Sequence, residues 1–284
     1  MVIAFAGLSH AFTRRRLAKS SAVAALLVMS GLALPAHAAD VAACTVVLDQ
    51  ESGETLHRDG DCEDRFYPQS TFKLPLAMMG YDAGILTGPT APRWDYKTEW
   101  KRPERERKAV DPTIWERDSI VWYSQEITRR LGSARFADYI AKLEYGNRDV
   151  TGGPGGTDGL TESWLMSSLT ISADEQADFI RRFRTGVLPI SRRAAEMTET
   201  IVPSFEAADG WIIHGKTGSG RLRDKAGEPA QNRPLGWFVG WAEKGDRKLV
   251  FARVRVADRN PKGPISFEVR DSLIADLPKL VDER

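Results

Sequence analysis

The chain has 284 residues, with 40 Lys+Arg against 39 Asp+Glu for a formal net charge of +1, and 42% of its residues are hydrophobic. So even a balance gives no electrostatic reason to expect nucleic acid or an anionic membrane surface as partner. The length suits one large domain, or two closely joined lobes, with a full core.

Arg14, Arg15, Arg16 and Lys19 precede an apolar run over 22–34 that closes on Ala36-His37-Ala38. A basic region, an apolar region and an A-x-A site in that order predict a secretory signal peptide over 1–38. The arginine triplet also fits a twin-arginine export signal. Removing those four positive charges from 40 leaves 36 Lys+Arg against 39 Asp+Glu over 39–284. No later stretch reaches the roughly 18 apolar residues that a membrane span requires, so a periplasmic product with no membrane contact is expected. His57 and His214 are the histidines that remain, too few for a three-histidine zinc site.

Residues 44–48 and 54–58 read as two strands about a turn at 50–53. Folding about Gly53 sets Cys44 opposite Cys62, which predicts a disulfide of the kind an oxidising compartment allows. Two unpaired small apolar residues are the alternative, because spacing does not fix Cβ geometry. A helix then begins at Ser70 and runs over Leu74, Ala77, Met78 and Tyr81 to Gly84, with Pro75 expected to loosen its first turn. Residues 89–112 read as loop, and the mixed charges of 101–108 as a solvated face. Ile120, Tyr123, Ile127 and Leu131 recur at helical spacing up to Gly132, and Ser133 is expected to cap a helix carrying Phe136, Ile140 and Leu143.

Residues 145–160 form a long glycine-rich loop, a type that is usually functional or mobile. Ser172 and Glu175 make a capping box ahead of a helix that stops at Gly186, and another helix follows Ser191. After Gly210 the period changes from helix to strand. Residues 211–216, 236–242 and 248–256 read as an antiparallel meander, and a helix over 265–280 closes the chain. The predicted fold is α/β of the α+β type, an antiparallel sheet flanked by N- and C-terminal helices. The sheet lobe would span about 39–68 and 205–284, the inserted all-helical lobe about 69–204, and Ser70 would lie near the seam.

Ser70 and Lys73 form an S-x-x-K pattern. Three residues apart on a helix, they share a face, which sets a hydroxyl beside an amine. Serine is a poor nucleophile until a base removes its proton, and no histidine is placed for the task. Alone, the pattern is more often a helix-capping serine and a surface lysine. Its companions are Ser119-Ile120-Val121, Tyr145-Gly146-Asn147, Trp164 and Lys216-Thr217-Gly218. S-x-x-K with a later K-T-G belongs to β-lactamases and penicillin-binding proteins. In order and spacing the whole set resembles the class D serine β-lactamases, the oxacillinases, over nearly all of 39–284.

That resemblance implies hydrolysis of the β-lactam ring of penicillins and some cephalosporins through an acyl-serine, and hence antibiotic resistance. Ser70 would be the nucleophile. Lys73 would be carboxylated by CO2 to a carbamate serving as general base, with no metal or other cofactor. An ordinary lysine, pKa about 10.4, has no lone pair to offer at neutral pH; burial among Phe72, Val121 and Trp164 would favour its amine form. The Trp164 N–H, a donor only, would hold a carbamate oxygen. Ser119 would pass a proton towards the lactam nitrogen, and Lys216-Thr217-Gly218 would present a strand edge to the substrate. The N–H groups of Ser70 and Ser219 would form the oxyanion hole, and Thr217, Ser219 and Arg270 would meet the substrate carboxylate. Residues 94–118 are more charged than the resemblance leads one to expect, so the substrate range does not carry across. A D-alanyl-D-alanine peptidase or a β-lactam-sensing receptor domain would share this chemistry, although no anchor or membrane helix is readable after residue 38.

Overall fold

The computed structural model describes residues 40–153 and 158–282. The leader expected over 1–38 and part of the glycine-rich loop lie outside the described residues. Strands β1 (Asp40–Asp49), β2 (Thr55–Gly60), β3 (Ser204–Glu206), β4 (Ile212–Arg223), β5 (Pro229–Lys244) and β6 (Arg247–Ala257) form one sheet in the order β2-β1-β6-β5-β4-β3. Every pairing is antiparallel. The expected meander is β4 to β6, and β1 returns to the outer edge of β6, pairing Val46 with Ala252.

Period-2 alternation divides this sheet between two cores. Val250, Ala252, Val254 and Val256 of β6 join Trp237, Val239 and Trp241 of β5 on one face. Phe251, Phe238 and Val47 face the opposite way, onto the last helix, α8 (Ile265–Asp282), through Val269, Leu273 and Leu277. Both faces are covered, which is why the strands are so apolar.

The other helices are α1 (Lys73–Asp82), α2 (Pro112–Asp118), α3 (Val121–Leu131), α4 (Ser133–Leu143), α5 (Gly159–Glu162), α6 (Ala173–Arg184) and α7 (Arg192–Ile201). α1 is apolar on all sides and buried from Lys73 to Tyr81, the pattern of a helix inside a core. α6 opens with the expected capping box of Ser172 and Glu175 and packs against β1, β5 and β6. Helices drawn from the middle of the chain thus share one core with the sheet.

Several local expectations are revised. Cys44 and Cys62 are disulfide-bonded, with S–S 2.04 Å and Cα–Cα 5.1 Å, yet the residue paired with Cys44 across the hairpin is Gly60. Cys62 reaches its partner from just beyond the strand. Pro75 does not disturb α1, because it sits in the first turn, where backbone N–H groups lack helical partners anyway. Gly132, not Ser133, is the N-cap of α4. α2, which was not expected, begins where the loop read over 89–112 ends, started by the Asp111 side chain accepting from the Ile114 N–H, with Pro112 at the first helical position.

Candidate active site

Ser70 lies on a 3₁₀ turn, Gln69–Phe72, that runs directly into α1. A 3₁₀ turn eclipses residues three apart, so Ser70 and Lys73 emerge on the same side. The Lys73 N–H donates to the Ser70 carbonyl. This turn is tied from several directions. Thr71 Oγ1 donates to the Pro68 carbonyl at 2.7 Å and accepts from Gln176 Nε2 at 2.9 Å. Trp237 Nε1 donates to the Tyr67 carbonyl at 3.0 Å, and the Gln69 N–H to the Trp164 carbonyl at 3.1 Å. Gln69 itself is left-handed, at φ 53. A non-glycine residue there is under backbone strain, which folds tend to keep at functional positions.

The strand carrying Lys216-Thr217-Gly218 reaches the turn because its glycines leave room. A Cβ on Gly218 would stand 2.9 Å from the Pro68 carbonyl oxygen, and one on Gly220 2.3 Å from Gln69 Nε2. Ser119, like Gln69, is left-handed, at φ 57 where α2 ends. α3 starts two residues later at Val121, whose N–H donates to Glu106 Oε2 at 3.1 Å. Lys216 Nζ spans the gap, donating to Ser119 Oγ at 3.2 Å and to the Thr217 carbonyl at 3.0 Å.

Ser70, Ser119, Val121, Thr217 and Ser219 line one cleft of about 730 Å³. Lys73 and Lys216 lie beneath it, 1% and 2% exposed. Lys73 Nζ stands 5.9 Å from the centre of the Trp115 ring. Trp164 is buried and stacks on Phe72 at 5.0 Å. Burial, and then the Lys216 charge, pull the Lys73 ammonium down to about 7 against the opposing pull of Glu116 and Glu106. Burial likewise lowers Lys216 to about 8. Both amines are thereby moved towards the neutral form at physiological pH.

Arg270 is not brought into this constellation. Its guanidinium lies over the rings of Phe205 and Phe267, at 5.2 and 4.8 Å, and its Nε donates to Asp271. The nearer hydroxyl on that wall is Ser266, which accepts from Ser219 Oγ at 2.6 Å and lines the cleft. The charge run is not a wholly solvated face either. Glu106 is fully buried and is held by Arg102 at 3.2 Å and Arg105 at 3.3 Å, while its carbonyl accepts from Trp122 Nε1. Arg105, Lys108, Arg117 and Asp118 form the cleft rim, and Asp118 pairs with both Lys108 and Arg117.

Tyr145-Gly146-Asn147 holds the loops behind the site together. Asn147 Nδ2 donates to the Ser168 carbonyl at 2.8 Å. A Cβ on Gly146 would meet the Thr170 carbonyl oxygen at 2.2 Å, and the Tyr145 ring packs edge-on against Phe72. Glu116, fully buried under the cleft, was not legible in the sequence, since nothing in Trp115-Glu116-Arg117-Asp118 sets it apart from a surface carboxylate. Among the described residues no group of His, Cys, Asp and Glu could hold a metal ion, and no helix is long and apolar enough to cross a membrane.

A serine on a strained turn, a buried lysine one turn on and a second serine held by a strand lysine are the working parts of an active-site-serine fold. Residues 43–273 match the penicillin binding protein transpeptidase domain, and the chain belongs to that family. Within it, the chain belongs with the class D β-lactamases. It is 47% identical over 243 residues to the β-lactamase OXA-9 of Klebsiella pneumoniae, a match covering 85% of this chain and 89% of that one. It is 37% identical to the β-lactamase OXA-1 of Escherichia coli over 77% of each chain. The crystal structure of the class D β-lactamase OXA-427 superimposes with a TM-score of 0.78 at 39% identity, over 85% of this chain and 99% of that one.

Proposed function

We propose that this protein hydrolyses penicillins, and some cephalosporins, through an acyl-enzyme on Ser70, with Lys73 carboxylated by CO2 as the general base. The observation that carries the reading is the burial of Lys73, 1% exposed and one turn from Ser70 beneath an open cleft. A lysine there, with its ammonium lowered to about 7 by burial and by Lys216, holds a free lone pair near neutrality and fits capture of CO2. When bound, CO2 supplies a carboxylate oxygen where other hydrolases use histidine.

Ser70 gives up its hydroxyl proton on the Lys73 side and attacks the lactam carbonyl. The N–H groups of Ser70 and Ser219 stabilise the oxyanion, each such donor being worth about 3 kcal/mol in catalysis. The ring C–N bond then breaks, and Ser119, held by Lys216, delivers a proton to the departing nitrogen. A water activated on the Lys73 side cleaves the ester and frees Ser70. Trp164 keeps the base in place with its N–H, and Val121 keeps bulk water off it. Thr217 and Ser219, with Ser266 beside them, receive the substrate carboxylate. Residues 39–284 act as one catalytic domain in the periplasm, after residues 1–38 have served as the export leader.

Steady turnover of a chromogenic cephalosporin, with many products per enzyme, tests the reading. A single burst of one product per enzyme would instead fit a sensor that acylates and stalls.

A further inference from the structure

Glu116 is fully buried, and neither of its carboxylate oxygens has a hydrogen-bond partner among the described residues. It sits in α2 three residues ahead of Ser119, between buried Trp115 and exposed Arg117. The charges acting on it are those of Lys73 on α1 and Lys216 on β4. Tyr81, also on α1, feels Glu116 in turn. Arg102 and Glu106, from the charged segment, act on Lys73. A carboxylate left without hydrogen bonds in such a place is costly to keep charged, and burial raises Glu116 to about 7 against the pull of both lysines. A structural carboxylate would be expected to close a hydrogen-bonded ion pair here, and Glu116 does not.

We propose that Glu116 is the proton acceptor for carboxylation of Lys73, and that in its protonated form it is the neutral neighbour that lets the Lys73 carbamate persist. This rests on the carboxylated-lysine reading above. In the step, the Lys73 amine nitrogen attacks the carbon of CO2 and an N–C bond forms. One C=O electron pair moves onto oxygen, and the nitrogen sheds a proton, which Glu116 takes up. Lys73 passes from neutral to negative, Glu116 from negative to neutral, and Lys216 remains positive, so the buried pocket keeps its charge. Two adjacent carboxylates in one desolvated site do not both ionise. Without Glu116 the proton would go to bulk water, leaving the pocket with an altered charge.

The two cases differ in proton linkage. If Glu116 retains the proton, none is released, and carbamate formation at a fixed partial pressure of CO2 is flat with pH above about pH 7. If the proton leaves, the ratio of carbamate to free amine rises about tenfold per pH unit. The test is the 13C NMR carbamate signal of the protein under 13CO2 at fixed pressure, stepped between about pH 7 and 8, the range in which Lys216, lowered to about 8, keeps at least half of its charge. The native enzyme is expected to change less than about twofold and Glu116→Gln about tenfold. A tenfold rise in the native enzyme overturns the assignment even if the variant fails to fold, and so does a flat response in Glu116→Gln. No carbamate signal in the native enzyme at any pH would instead remove the carboxylated-lysine reading, and this inference with it.

Discussion

Lys216 Nζ donates a hydrogen bond to Ser119 Oγ at 3.2 Å, joining β4 to the left-handed corner between α2 and α3 across 97 residues of sequence. Two short motifs meet because the sheet edge and the helix corner come together beneath the same cleft, and the proposed function makes them one proton path. Ser119→Ala is expected to lower kcat by about 10²-fold or more with little change in KM, the usual scale for losing a proton-transfer group. Rapid-quench measurement of acylation checks this; an unchanged acylation rate would take Ser119 out of the path.

Lys216→Ala removes the same anchor and a charge as well. The Lys216 cation disfavours a second positive charge on Lys73, so its loss raises the Lys73 pKa. The amine is then available only at higher pH, and the acid limb of the kcat/KM profile is expected to move upward. Comparing pH profiles of the native and variant enzymes measures the shift. A limb that stays in place or moves down would contradict the electrostatic account of the pocket.

In the proposed function Trp164 serves packing and chemistry through different atoms. Its ring stacks on Phe72 at 5.0 Å, while its N–H is the group assigned to the base. Trp164→Phe keeps a ring and loses the donor, so acyl-enzyme is expected to accumulate in mass spectra while the fold survives. Trp164→Ala also leaves a cavity and is expected to cost about 3–5 kcal/mol of stability, read from the denaturant midpoint. Normal deacylation by Trp164→Phe would leave Trp164 with the packing role alone.

Arg270 is committed to Phe205, Phe267 and Asp271. Arg270→Ala is therefore expected to leave KM for penicillins within about twofold, whereas Thr217→Ala is expected to raise it about tenfold, as loss of a hydrogen bond to a charged group would. Steady-state kinetics on the two variants separates these cases.

Glu106 is a buried acceptor for two arginines and for the Val121 N–H. Glu106→Ala strands those partners and is expected to destabilise the protein by about 3–5 kcal/mol. Loss of the Val121 tether also loosens the Ser119 corner, so activity should fall before the fold does. Denaturation curves alongside kcat check both.

The sequence made the sheet legible because β4 to β6 follow one another with a clear period of two, and β1 carries the same alternation. The S-x-x-K and K-T-G residues were legible because their spacing is local. The placement of Arg270 over Phe205 and Phe267 was not legible, because a helix position does not reveal which rings lie under a guanidinium. Glu106 and Glu116 were missed for the converse reason. Each stands beside arginine in sequence and looks solvated, and only tertiary packing of α2 and α3 buries them. The disulfide partner was legible but its register was not, since the chain passes Gly60 and turns before it reaches Cys62.

The central claim is that buried Lys73 works as a carbamate. The direct measurement is turnover after acid treatment has stripped CO2, followed by mass spectrometry of the enzyme in CO2-free buffer and again after bicarbonate is added. The account expects acyl-Ser70 to accumulate without CO2 and steady hydrolysis to return with bicarbonate. Undiminished turnover in CO2-free buffer, with no acyl-enzyme detected, would contradict it.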